Sequence, residues 1–266
     1  MLATARQLFR FRGLLATLVG RELKARYRGS ALGFLWSLVN PLLLLSVYTF
    51  VFGVVFQPRT AGADPYALFL ISGLFPWIWI STSLLEGAMS LTYNAGLIRK
   101  AAFPAELLAP VAVLANLVHL LLALPIVGAA LVVGRALGFA VGGWTALLVP
   151  LVIALELPLA VGLGLGLAAL NVHFKDVRDI LGHLLTLLFF LTPILYPLAA
   201  VPMRGLRALI RANPFTPFTL AYQDLLFRGV LPEGVLWLQM VAVSLIGWAL
   251  GTWLFGRLRD TLVEAV

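Results

Sequence analysis

Six long apolar runs constrain this chain of 266 residues more than any other feature. They cover residues 32–56, 67–91, 107–133, 144–170, 180–198 and 235–255 and carry almost no charge. A bilayer crossing takes about 20 apolar residues at a rise of about 1.5 Å each, and each run is near or above that length. Hydrocarbon offers no partner to a peptide N–H or C=O, so only helices and closed barrels can cross it. Continuous runs lack the alternation of a barrel strand. The expected fold class is an all-α membrane protein with six transmembrane helices, forming a single domain over residues 1–266. Pro41, Pro76, Pro125 and Pro158 fall inside the runs. They mark kinks rather than boundaries, because neighbouring helices can satisfy the freed carbonyls.

Composition excludes the soluble alternatives. With 62% hydrophobic and 11% charged residues and a mean hydropathy of +1.02, there is too little polar surface to cover a globule in water. The net charge of +8 raises the question of nucleic acid. The basic residues instead flank the apolar runs, where anionic headgroups attract each by about 1 kcal/mol. Membrane lipids are therefore expected partners, and nucleic acid is not. Cysteine is absent, which removes disulfides, thiol nucleophiles and thiolate metal sites. A cleavable signal peptide is not expected, since the segment before Arg21 has three arginines and no long apolar core.

Charge asymmetry sets the expected orientation. Seven of the nineteen Lys and Arg residues (Arg6, Arg10, Arg12, Arg21, Lys24, Arg26, Arg28) precede the first run, which places the N-terminus in the cytoplasm. An even number of spans returns the C-terminus to the same side. Thirteen basic residues then lie inside and six outside. Arg204, Arg207, Arg211 and Arg228 strain the rule, and all four belong to the connection 192–234. That connection holds six prolines, too many for one helix, and is too apolar for a solvated loop. Arg204, Arg207 and Arg211 share one helical face with Leu206, Leu209 and Ile210 between them, so two short outer re-entrant helices are expected between spans five and six. Near the N-terminus, Leu8, Phe11, Leu15 and Leu18 follow helical spacing, and Arg21, Lys24 and Arg28 continue a basic stripe. This segment reads as an interfacial helix in the inner headgroup plane that turns at Gly29. Topogenic charge alone accounts for the same basic residues.

Chemistry within the spans is sparse. Glu86, Glu156, His119 and His183 sit on four different runs, without the spacing of a metal-binding helix. No catalytic or metal site is expected. A carboxylate at membrane depth is a functional suspect, yet Glu86 lies close enough to a span end to snorkel, so a structural role fits it equally. The three lysines, Lys24, Lys100 and Lys175, are followed by Ala, Ala and Asp, so none can serve a P-loop. ATP, if used, would be bound and hydrolysed by a partner. Its docking point is expected at residues 94–106, where Asn94, Arg99, Lys100, Phe103 and Pro104 combine a short helix, a proline turn and an exposed aromatic. An ordinary loop would have the same spacing.

Four ordered blocks resemble the ABC-2 type permeases that export bacterial surface polysaccharides. Glu22-Leu23-Lys24-Ala25-Arg26-Tyr27-Arg28-Gly29-Ser30 with Leu32-Gly33, Trp36 and Asn40-Pro41 is similar to that family's entry to the first span. Asn94-Ala95-Gly96-Leu97-Ile98-Arg99-Lys100 with Phe103-Pro104 resembles its coupling region, and Asn171-Val172-His173-Phe174-Lys175-Asp176-Val177-Arg178 its second cytoplasmic loop. Thr192-Pro193-Ile194-Leu195-Tyr196-Pro197, Asn213-Pro214 and Tyr222-Gln223-Asp224 match its outer-loop pattern. The resemblance implies the inner-membrane subunit of an O-antigen, capsule or teichoic-acid exporter. It implies a homodimer working with two copies of a separate ATPase, which would hold ATP and Mg, this chain itself binding no cofactor. The implied substrate is a glycan on an undecaprenyl diphosphate lipid.

Such a substrate needs two kinds of surface. Sugars stack their C–H faces on aromatic rings, so an aromatic-lined tunnel lets them slide without tight sites. Trp36, Tyr48, Phe50, Phe52 and Phe56 of the first span, with Phe189, Phe190 and Tyr196, are the candidates, although interfacial aromatic belts give the same composition. The diphosphate needs cations, and Arg26, Arg28, Lys175 and Arg178 are the inner-side candidates, the arginines being able to grip phosphate bidentately. Topogenic charge explains these four as well. An ABC-2 exporter of a small drug or lipid stays open, as does a membrane-embedded enzyme of lipid-linked glycan metabolism, which the lack of clustered carboxylates and histidines disfavours.

Overall fold

The computed structural model describes residues 2–55, 63–100 and 103–265 of the chain. The described residues form helices and connections, with no strand among them. Eleven α-helices follow one another: α1 (Leu2–Arg10), α2 (Arg12–Arg26), α3 (Trp36–Phe50), α4 (Tyr66–Tyr93), α5 (Ala95–Lys100), α6 (Leu108–Ala136), α7 (Val149–His173), α8 (Val177–Leu191), α9 (Arg204–Ala212), α10 (Thr216–Tyr222) and α11 (Gly234–Ala265). Among the described residues, five helical stretches are long and apolar enough to cross a membrane: Gly33–Phe50, Tyr66–Tyr93, Ala105–Ala136, Trp144–His173 and Gly234–Arg259.

The remaining apolar run, 180–198, behaves differently from expectation. Its helix α8 begins at Val177 and ends at Leu191, a length of 15 residues, or roughly 22 Å at the helical rise. Thr192 takes an extended conformation with ψ 137° because Pro193 follows, and the residue before a proline is pushed away from helical angles. The chain then turns back into the 192–228 segment, whose expected two short helices are α9 and α10, the latter continued by a π-turn over Gln223–Arg228.

Helix α4 is the hub. Of its membrane-length window 78% is buried inside the chain, against 11% for the window containing α3. Phe69, Trp79, Ile80 and Leu84 of α4 pack in one apolar core with Leu159 and Leu165 of α7, Leu185 of α8 and Phe218 of α10. Helix α3 lies against this core by one edge only, with Ser37 and Pro41 buried and Leu42, Leu43, Val47 and Phe50 exposed. Helix α8 is similar: Leu181 and Leu185 face inward, while Ile180, Leu184 and Leu187 are bare.

The tightest helix pair is α7 with α11, and its cause is glycine. Gly162 and Gly166 on α7 face Gly247 and Gly251 on α11, a pair of small-xxx-small stripes. A Cβ on Gly162 would come 2.5 Å from the Trp248 Cα, and one on Gly251 would run into the Gly162 carbonyl. In lipid, apolar surface has no hydrophobic reason to associate, so close backbone approach and the dispersion it allows must hold such a pair. Ser244 also donates to the Leu155 carbonyl of α7.

At the N-terminus, the expected apolar face has found protein. Leu18 is buried with Leu107 and Val111 at the start of α6, and Leu8, Phe11 and Leu15 pack on the same cluster. The turn after α2 falls at Gly29, whose φ of +82° a side chain would resist. Phe103 was expected as an exposed aromatic, but it is half-buried and packs on this cluster, because α1 and α2 fold back over the start of α6.

Valine at Gly251 should therefore disrupt the α7–α11 contact. Overpacking costs about 1–3 kcal/mol, and backbone on both sides of this contact leaves nothing flexible to yield. Thermal unfolding of the detergent-solubilised chain should shift clearly downward for Gly251→Val. Gly256→Ala, where a Cβ meets nothing within 4 Å, should be neutral or raise stability by up to about 1 kcal/mol through helix propensity. Equal melting of both variants would mean the glycine contact does not fix α11.

Candidate functional site

Three side chains from three helices close a triangle where α2 meets the bundle. The Arg26 guanidinium donates through Nη2 to Glu86 Oε2 at 2.6 Å and through Nη1 to Asn116 Oδ1 at 2.9 Å. Asn116 Nδ2 in turn donates to the same Glu86 oxygen at 2.6 Å and to the Ala112 carbonyl at 3.0 Å. Each group thus neutralises or satisfies the other two. Guanidinium suits this place because its rigid fork serves two acceptors at once, which an ammonium does not match. Glu86 is seven residues from the end of α4, roughly 10 Å along the axis, so Arg26 reaches into the bundle to meet it. Glu86, for which a structural and a functional role fitted equally, is an ion-pair partner that ties α4 to α2.

A cavity of about 410 Å³ opens beside the triangle, between α3, α4 and α6. Arg26, Asn116, His119, Tyr27 and Ser37 form its polar wall, and Trp36 and Trp79 lie on its apolar side. Ser37 Oγ donates to the Tyr27 hydroxyl at 2.9 Å, which lies 3.4 Å from His119 Nδ1. The rings of Tyr27 and His119 meet edge to face with centroids 5.9 Å apart. The chain's turn at Gly29 and the start of α3 are therefore tied to α6 through Tyr27, just as α2 is through Arg26.

Of the four cations assigned to a diphosphate, Arg26 is the one already engaged. Arg28, Lys175 and Arg178 are exposed, and among the described residues no ion pair involves them. The aromatic candidates divide between packing and exposure. Tyr48 stacks on Phe52 at 6.0 Å, and Phe52 meets Tyr66 at 4.8 Å with the rings tilted by 52°. Phe189 meets Trp77 at 6.1 Å and Phe190 at 5.3 Å. Phe50 and Phe190 are 60% and 59% exposed, which leaves them free to touch a passing ligand. Trp36 lines the cavity, and the Tyr196 hydroxyl donates to the Phe190 carbonyl at 2.9 Å. Phe56 lies outside the described residues, as do the side chains of Arg99 and Lys100.

At the end of the bundle that carries α2, exposed aromatic surface comes from Tyr93 and Phe174, at 71% and 63% exposure. Asn94 donates from Nδ2 to the Ser90 carbonyl, ending α4 beside Tyr93, and Pro104 starts the short turn into α6. That turn holds Glu106, 2% exposed, whose carboxylate pairs with Arg259 of α11 at 2.7 Å. His173 Nε2 lies 2.9 Å from the Thr261 hydroxyl of α11. Glu106 escaped notice in the sequence because it stands at the edge of an apolar run, where a carboxylate reads as solvated.

The opposite end of the bundle is knitted by hydrogen bonds to irregular backbone. Gln223 donates to the Pro193 carbonyl at 2.7 Å, Tyr66 to Leu195 at 2.6 Å and Thr145 to Leu225 at 2.9 Å. Asn213 donates to Thr192 Oγ1 at 2.8 Å, and Tyr222 to the buried Glu156 of α7 at 2.9 Å. Glu156 is thus a structural anchor for the 192–228 segment.

Residues 13–227 match the family described as ABC-2 type transporter. The chain is 38% identical over 268 residues, covering all of both proteins, to the O-antigen export system permease protein RfbA of Myxococcus xanthus. It is 29% identical to the protein of the same name from Klebsiella pneumoniae, over 94% of each chain. To the polysialic acid transport protein KpsM of Escherichia coli it is 23% identical, over 92% of this chain and 93% of that one.

Breaking the triangle should loosen α2 selectively. Hydrogen bonds to charged groups contribute about 1.5–3 kcal/mol, and the low end applies because the Arg26 and Glu86 side chains remain 25% and 37% exposed. Arg26→Lys and Glu86→Ala should each speed amide hydrogen exchange in α2 by about tenfold. Exchange around Trp79 in α4 should be unchanged. Equal exchange in α2 before and after substitution would remove the triangle as its anchor.

Proposed function

The chain belongs to the ABC-2 type transporter family, and from that premise we propose that it is the membrane-spanning permease subunit of an exporter for polysaccharide linked to undecaprenyl diphosphate. The observation that carries this reading is the end-to-end similarity, at 38% identity, to a permease named for O-antigen export. A chain aligned over its whole length retains the same succession of spans and connections, so its transport path is built from the same parts.

In this reading α8 crosses the membrane with α3, α4, α6, α7 and α11, giving six spans with both termini in the cytoplasm of a bacterial inner membrane. The 192–228 segment supports α8 here, because it supplies bonded backbone where the 15-residue helix runs out. Irregular backbone is tolerated at membrane depth when protein satisfies it, so α9 and α10 are the two re-entrant elements on the outer side. The chain works as a homodimer: α3 and α8 carry apolar faces left bare by their own bundle, and both bear exposed phenylalanines, Phe50 and Phe190. Two copies apposed on these faces enclose an aromatic-lined passage suited to sliding sugars.

Energy comes from a separate ATPase, two copies per dimer, since the described polar groups serve packing and the lysines lack P-loop context. The ATPase docks at the α2 end, where α5 and the Tyr93 and Phe174 side chains are presented. Arg28, Lys175 and Arg178 meet the diphosphate as it leaves the inner leaflet, while Arg26 positions α2 for them.

Proteoliposomes test the assignment. The purified chain alone should hydrolyse no ATP. With its ATPase it should move undecaprenyl-diphosphate-linked glycan across the bilayer, read by lectin binding on the far side. Hydrolysis by the chain alone, or transport of a small amphipathic drug without glycan, would overturn it. Arg28→Lys keeps the charge but loses bidentate grip, and export should fall about tenfold as one charge-assisted bond is lost. Parental export by this variant would make Arg28 a topogenic anchor. In a cysteine-free chain, single cysteines at 204, 207 and 211 should react with impermeant thiol reagents only from outside. Labelling from the cytoplasm would break the six-span scheme.

A further inference from the structure

At the end of the bundle opposite α2, a second charged cavity of about 490 Å³ lies between α9, α10 and the first turns of α11. Its walls carry charge of both signs. Arg207 and Arg211 come from successive turns of α9, Asp224 and Arg228 from the π-turn, and Glu233 from the residue before α11.

The pairings leave a definite remainder. Arg228 and Asp224 are bonded to each other at 2.8 Å and cancel. Arg207 donates one terminal nitrogen to the Val201 carbonyl, which fixes its plane. Its Nε is buried with no acceptor among the described residues. The chain therefore leaves this guanidinium incompletely satisfied, which is costly for a buried donor. Arg211 and Glu233 are both exposed, and no described ion pair involves either. What remains open is a pair of arginines on one side and a carboxylate on the other.

The surroundings decide between ligands of that polarity. Among the described residues no aromatic ring lines the cavity, so they offer no platform for a sugar to stack on. Its apolar floor is Leu220 and Leu236. On the same elements, Leu209 of α9 and Val235 and Leu238 of α11 are exposed at 55%, 64% and 69%, as is Met203 just before α9 at 67%. An amphipathic helix with bare leucine beside bare arginine belongs at the boundary between headgroups and acyl chains. We propose that this cavity seats the headgroup of a zwitterionic glycerophospholipid, with its phosphate on Arg207 and Arg211 and its primary ammonium on Glu233. Arginine holds phosphate oxygens bidentately, and a carboxylate accepts from an N–H⁺ that a quaternary ammonium does not have. The bound lipid anchors α9 and α11 to one another from the membrane side. This assignment holds whatever cargo the permease moves.

Native mass spectrometry of the full-length chain tests it, with dioleoyl phosphatidylethanolamine, phosphatidylglycerol and phosphatidylcholine each added at the same concentration. Phosphatidylethanolamine should be retained most tightly. Glu233→Gln should weaken its retention about tenfold while leaving phosphatidylglycerol unaffected, because only the ammonium contact is lost. Arg211→Gln should weaken both lipids about tenfold. Arg204→Gln, on the same helix but outside the cavity, should change neither, and melting temperatures of all three variants should match the parent. Equal retention of phosphatidylethanolamine and phosphatidylglycerol with a silent Glu233→Gln would reduce the site to simple phosphate binding and overturn the proposal. Unchanged retention in Arg211→Gln would overturn it as well.

Discussion

In hydrocarbon a helix gains little by burying apolar surface against another helix, because lipid is as apolar as leucine. Whatever holds this bundle in one arrangement must come from contact closer than lipid can make, or from polar groups that lipid cannot satisfy. Both are present, in different places. The α7–α11 pair uses the first, with Gly162 and Gly251 bringing the two backbones together. The junctions of α2 and of the 192–228 segment use the second. Helix α4 stands between these regimes, buried along most of its length and bonded to neighbours at both ends.

That division assigns different mechanical properties to the parts. Where Gly162 and Gly251 meet, backbone faces backbone, which leaves little room for one helix to slide on the other. The polar junctions involve long side chains that can exchange partners. Helices α3 and α8, with one edge on the core and the rest bare, are the elements freest to shift relative to α4. A transport path formed along them could widen without disturbing the centre of the bundle.

Much of this architecture could be read from residue order. The apolar runs located every long helix, the Gly29 turn fell where expected, and the 192–234 connection resolved into two short helices. Local signals sufficed there, because hydropathy, proline and glycine act over a few residues. The end of α8 depended on Thr192 preceding Pro193 within a run that hydropathy alone carries to residue 198. The Gly162/Gly166 and Gly247/Gly251 stripes went unread within long apolar runs, and nothing in either helix names the other as its partner. Arg26 and Glu86 are 60 residues apart, and each made sense alone, as topogenic charge and as a snorkelling carboxylate. Phe103 looked exposed because its loop is polar. It is covered by residues distant in sequence, through the fold-back of α1 and α2 and the edge of the main core.

The triangle of Arg26, Glu86 and Asn116 ties α2 to two helices through one side chain. Both of its outer bonds leave from the one guanidinium, and among the described residues no other ion pair or side-chain hydrogen bond joins α2 to α4. Turning α2 by a single residue position, roughly 100°, carries Arg26 away from both acceptors together, leaving Glu86 with the Asn116 amide, which keeps its bond to the Ala112 carbonyl. A push on α2 is therefore registered by α4 and α6 as a click rather than a slope, because the seated position ends with the loss of both bonds. A membrane protein driven from its surface by repeated strokes would gain from such a latch, because small thermal excursions of the surface helix would stay invisible to the spans beneath it.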